Sequence, residues 1–95
     1  MLTEDGYFAL QEELLQYPTG GDLIRGSGGL RKVRWNAPGR GKRGGARVIY
    51  YFADTRGYIF LLDIYPKNEK ENLTPAEIGQ LRDLVEEWLH EYRKL

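Results

Sequence analysis

Residues 46–65 read ARVIYYFADTRGYIFLLDIY, and how this stretch is parsed decides the fold. Two runs rich in β-branched and aromatic residues, 46–53 and 58–65, flank the short polar segment 54–57 that ends in Gly57. Such runs joined by a short glycine-containing turn predict an antiparallel hairpin. In the first run Val48, Tyr50 and Phe52 share one face, with Arg47, Ile49 and Tyr51 on the other. The second run is apolar almost throughout, as expected of a strand covered on both sides.

Outward on the N-terminal side, residues 30–35 (LRKVRW) form a third strand, with Lys32 and Arg34 on one face and Arg31, Val33 and Trp35 on the other. Residues 36–45 are a glycine-rich hairpin loop, and 22–29 read as loop. Residues 3–17 predict a helix. Tyr7, Leu10, Leu14 and Tyr17 recur at three- and four-residue steps, Thr3 stands at the cap, and Pro18 with Gly20 and Gly21 ends it. On the C-terminal side, Thr74-Pro75-Ala76-Glu77 supplies a capping threonine, a proline at the first helical position and a glutamate able to reach back. Ile78, Leu81, Val85, Trp88, Leu89 and Tyr92 then make an apolar stripe. The expectation is one α+β domain over residues 1–95: an N-terminal helix, an antiparallel sheet of three or more strands and a C-terminal helix.

The 95 residues contain no cysteine, which excludes disulfides and thiolate metal sites. No signal pattern or membrane span is evident, so a cytoplasmic protein without a membrane partner is expected. The net charge of zero hides a segregation. Residues 25–47 carry eight basic side chains and no acid, leaving six basic against fourteen acidic residues elsewhere. That concentration of positive field points to a polyanionic partner.

Residues 39–44 (GRGKRG) match the spacing of a dinucleotide-binding fingerprint, but a strand follows them where that motif needs a helix. Their cations Arg40, Lys42 and Arg43 read instead as a hairpin loop, equally an arm that settles on phosphates or a solvated connection. Lys32, Arg34 and Arg47 are the more informative set. They share a sheet face if the hairpin register allows, and mutual repulsion there is relieved by an anion such as RNA phosphate. His90 is the only histidine and lies on the last helix as a surface residue, so neither a Ser-His-Asp triad nor a metal-ligand set is available. An enzyme built from this chain works with Lys, Arg, Tyr and carboxylates, without cofactor or metal.

Three blocks together, 26–35 (GSGGLRKVRW), 41–51 (GKRGGARVIYY) and 65–74 (YPKNEKENLT), resemble the RelE/HigB-type toxins of type II toxin–antitoxin modules, most closely the HigB-like branch. The resemblance runs from about Tyr7 to the end and implies a RelE/ParE-toxin-like fold. It also implies a ribosome-dependent endoribonuclease, an mRNA interferase that inhibits translation. Its implied partners are ribosome, mRNA and a cognate antitoxin of helix-turn-helix type. By motif position the catalytic roles fall on Lys32, Arg34 and Arg47, and more loosely on Lys67 and Lys70. RNA contacts are expected from Arg31, Arg40, Lys42, Arg43, Tyr51 and Tyr65, the tyrosines by stacking on bases unless they serve as core residues, the commoner role for such rings. Cleavage by the RNA's own 2′-hydroxyl needs that hydroxyl deprotonated, the phosphorane charge stabilised and the 5′-oxygen protonated. Arg34 and Arg47 suit the second task, and Lys32 is the candidate for proton transfer.

Relatives of this kind usually begin with a strand before the first helix, whereas this sequence starts at the helix. The resemblance therefore implies an unpaired sheet edge that invites a homodimer. It leaves two alternatives: a ParE-like toxin acting on DNA gyrase without nuclease activity, and a catalytically inactive nucleic-acid-binding remnant.

Overall fold

The computed structural model describes residues 4–35, 45–53, 57–70 and 72–92. The chain runs α1 (Glu4–Gln16), β1 (Asp22–Leu23), β2 (Leu30–Trp35), β3 (Ala46–Ala53), β4 (Tyr58–Pro66) and α2 (Pro75–Tyr92). The strands form one antiparallel sheet in the order β1-β2-β3-β4. The α+β architecture expected from the sequence is the one observed.

Strand alternation gives the sheet two apolar faces, and each takes a helix. On one face Leu10 and Leu14 of α1 meet Trp35, Val48 and Tyr50, all buried. On the other, Val85 of α2 is fully buried with Leu30, Ile49 and Tyr65, and Ile78, Leu81 and Leu89 pack around them. Trp88 closes this side by meeting the Phe60 ring edge-on at 5.2 Å. The capping box forms as expected. The Thr74 N–H donates to Glu77 Oε1 at 2.9 Å and the Glu77 N–H to Thr74 Oγ1 at 3.1 Å.

Two expectations need correction. Tyr7 and Tyr17 are 41% and 61% exposed rather than part of the α1 stripe, whose buried positions are Gly6, Leu10 and Leu14. Residues 22–29 are not simply loop. Asp22 and Leu23 pair with Lys32 and Arg31, and a turn held by one side chain brings them there. Ser27 Oγ donates to the Ile24 carbonyl at 2.6 Å and accepts from the Leu30 N–H at 3.0 Å. Gly29 bends the chain at φ 114°, a conformation that favours glycine, and the Tyr51 ring lies where a Cβ would stand.

The turn after β1 leads directly into β2 and fixes its start. A bulge between Ile49 and Tyr50 then shifts the β3–β4 register, so Ile49 faces Asp63 while Tyr50 faces Leu61. Arg47 pairs with Tyr65 on the other side of that bulge.

Candidate nucleic-acid interface

The β2–β3 register places Arg34 directly opposite Arg47, with Lys32 opposite Ile49. Cross-strand partners share a face, so Lys32, Arg34 and Arg47 gather on the side that α2 covers further along. The condition set by the sequence, that register must bring Arg47 to the other two, is met.

Their surroundings differ sharply. Arg34 is exposed, Lys32 half-buried, and Arg47 only 5% exposed. Among the described residues neither the Arg34 nor the Arg47 side chain has an ion pair or hydrogen bond. Like charges directly opposite in a sheet are destabilising. Lys32 is held: its Nζ donates to Asn72 Oδ1 at 2.8 Å, from the connector that precedes α2. These groups line a cavity of about 330 Å³ together with Gly20, Asp22, Val33 and Asn72. Of its charged lining residues only Asp22, which stands opposite Lys32 in the β1–β2 register, is an acid.

Beside it sits a second polar cluster. Tyr65, the cross-strand partner of Arg47, is 3% exposed and its hydroxyl has no hydrogen-bond partner among the described residues. Burial pushes that hydroxyl above the ordinary tyrosine range, an effect countered in part by Lys70 and Arg47. Lys70 Nζ lies 4.9 Å from the Tyr65 ring centroid. The same ammonium is ion-paired with Glu77, the capping-box glutamate. That hydrogen bond holds Lys70 above its ordinary value and Glu77 below its own.

The structure thus brings together three of the expected site residues and sets others apart. Lys70 is matched to Glu77. Lys67 is exposed and does not line the cavity. Arg31 turns to the opposite face, where its guanidinium donates to the carbonyls of Thr19 and Gly21 at 3.2 and 2.8 Å. Tyr65 is buried in the core, and half-buried Tyr51 stacks on Phe60 with ring centroids 6.3 Å apart. Arg40, Lys42 and Arg43 lie outside the described residues. His90 is exposed on α2, as expected. Asn72 escaped the sequence reading because forty positions separate it from Lys32 and its neighbours suggest only a solvated connector.

A lined cation pocket with a buried arginine at its base can grip a phosphodiester with fixed donors. No helix among the described residues is long and apolar enough to cross a membrane. A family model described as "RelE toxin of RelE / RelB toxin-antitoxin system" matches residues 19–94 of the chain.

Proposed function

This chain belongs to the RelE toxin family, and from that premise we propose that it is a ribosome-dependent endoribonuclease that cleaves mRNA and arrests translation. A cognate antitoxin follows from the family. That this antitoxin is of helix-turn-helix type, and that the toxin falls in the HigB-like branch, belong to the proposal.

The observation that carries the reading is Arg47: buried, opposite Arg34, without an ion pair among the described residues, and lining an open cavity. A fold gains nothing from this arrangement unless an anion arrives. The scissile phosphate is that anion. With Arg34 and Arg47 on its non-bridging oxygens, charge building on the phosphorane meets donors already in place, each contributing roughly 10²–10³ in rate. Lys32, oriented by Asn72, is the candidate for moving the proton between the 2′-hydroxyl and the departing 5′-oxygen. The 2′-oxygen forms the new bond to phosphorus as the bond to the 5′-oxygen breaks, giving a cyclic phosphate and a 5′-hydroxyl end. Lys67 and Lys70 act from the rim, with Tyr65 beneath them in the core. Lys70 needs release from Glu77 before it can reach RNA.

Controlled expression tests this. Growth should stop and translated mRNAs should be cut, while Arg47→Ala and Lys32→Ala should restore growth with the protein still folded by circular dichroism. Intact mRNA with failing DNA supercoiling would hand the assignment to a gyrase-directed toxin. Unaffected cells would leave only an inactive nucleic-acid binder.

A further inference from the structure

A second cavity adjoins the first around an open stretch of sheet edge. It has a volume of about 250 Å³ and lies on the α1 side, against Leu10, Glu13, Tyr17, Trp35 and Tyr50. Gly20, Val33 and Arg34 line both cavities. Among the described residues β1 pairs only with Arg31 and Lys32, so residues 33–35 of β2 have no strand partner on that side where the two cavities meet.

The polar groups of this cavity are unevenly satisfied. The Tyr50 hydroxyl is fully used, accepting from the Gly21 N–H and donating to the Pro18 carbonyl, both at 2.9 Å. Trp35 is 8% exposed, yet its indole Nε1, itself buried, has no hydrogen-bond partner among the described residues. A buried donor left unmade is expensive, and it marks a place where an acceptor is missing. Glu13, exposed on α1, offers an acceptor on the same cavity wall. Tyr17 and Trp35 supply aromatic surface, and Arg34 joins the cavity to the cationic one.

We propose that this α1-side cavity is a nucleobase subsite, with Trp35 Nε1 donating to a base acceptor and the Glu13 carboxylate accepting from a base N–H. The inference rests on the reading of Lys32, Arg34 and Arg47 as a phosphate clamp. One nucleotide then straddles the open edge of β2, its phosphate on one face of the sheet and its base on the other. A nucleobase suits the site because it combines a flat π-face with an acceptor and a donor side by side on one edge.

The test uses Trp88→Phe protein, in which Trp35 is the only remaining tryptophan. Two probes are titrated at low salt: a mixed-sequence single-stranded RNA hexamer and a ribose-phosphate hexamer lacking bases. Anisotropy follows binding and Trp35 emission reports the cavity. The expected result is that only the base-bearing hexamer changes Trp35 emission, and that Glu13→Gln weakens that hexamer about tenfold without affecting the abasic one. Glu13 is exposed, so its replacement leaves the fold intact where a Trp35 substitution endangers it. Equal binding of both probes with silent Trp35, weakened for both by Arg47→Met, would overturn the base subsite and leave the clamp standing. Failure of either probe to bind, or indifference of both to Arg47→Met, would remove the clamp and the subsite with it.

Discussion

An arginine that is 5% exposed as a residue and faces a second arginine across a strand pair is an arrangement that folding alone disfavours. Stability and function therefore pull apart at Arg47. Arg47→Met keeps most of the buried volume and removes the unpaired charge. Its urea midpoint should equal or exceed that of the wild type, while mRNA cleavage falls by about 10²–10³. A variant that lost stability and activity together would show that Arg47 is a structural group instead. Tyr50 is the contrasting case. Its ring is fully buried, and its hydroxyl joins the buried Gly21 N–H and the part-buried Pro18 carbonyl at the exit of α1. Tyr50→Phe strands both backbone groups and should cost about 1–3 kcal/mol in urea unfolding, at unchanged m-value. The same contact explains Gly21: a Cβ there would lie 2.8 Å from the Tyr50 hydroxyl and 3.1 Å from the Lys32 carbonyl oxygen.

The first turn of α2 links helix stability to the rim of the site, because Glu77 serves the Thr74 cap and Lys70 at once. Thr74→Ala should cost about 1 kcal/mol, read as a lower thermal or urea midpoint. The pH dependence follows from the direction of each shift. Glu77 is held below its ordinary range, mainly by the Lys70 hydrogen bond, so its stabilisation is complete above the range of an unfolded glutamate and disappears as pH falls through the lowered native value. Lys70 is held above its ordinary range by the same bond, so its share is complete below the unfolded lysine value and disappears as pH rises through the raised one. Glu77→Gln should therefore lower the midpoint at neutral pH and converge with the wild type as the solution is acidified. A gap that stayed constant into acid would mean the pair contributes nothing. This element was legible from Thr74-Pro75-Ala76-Glu77 because a cap is a local signal, and the hairpin of β3 and β4 was legible for the same reason. β1 was not. Two residues carry no periodicity, and what makes them a strand is the Ser27 turn and the waiting edge of β2. The site divides along the same line. The shared face of Lys32 and Arg34 follows from the two-residue period. By contrast, Arg47's partner, Lys32's contact with Asn72 and Lys70's with Glu77 depend on register and on chain return, which no local pattern records.

At the scale of the whole molecule the charges sum to zero, yet residues 25–47 hold eight cations while the rest of the chain carries a surplus of acids. A neutral protein exerts little long-range pull on a polyanion, so affinity must come from close contacts whose counterion release can be counted. For a single strand each neutralised phosphate contributes about −0.7 to the slope of log K against log salt. If Lys32, Arg34 and Arg47 are engaged by separate phosphates, the slope from these three is about −2, and Arg47→Met should flatten it by about 0.7. If Arg34 and Arg47 instead share one phosphate, as their direct cross-strand pairing favours, Arg47→Met should weaken binding while leaving the slope nearly unchanged, because Arg34 still displaces the same counterion. Salt titrations of wild type, Arg34→Met, Arg47→Met and the double variant separate these cases. Shared grip predicts two single variants with near-wild-type slopes and a double variant whose slope drops by a full phosphate. That pattern is the signature of a clamp on one phosphodiester rather than a diffuse basic surface, and it is what cleavage at a defined bond requires.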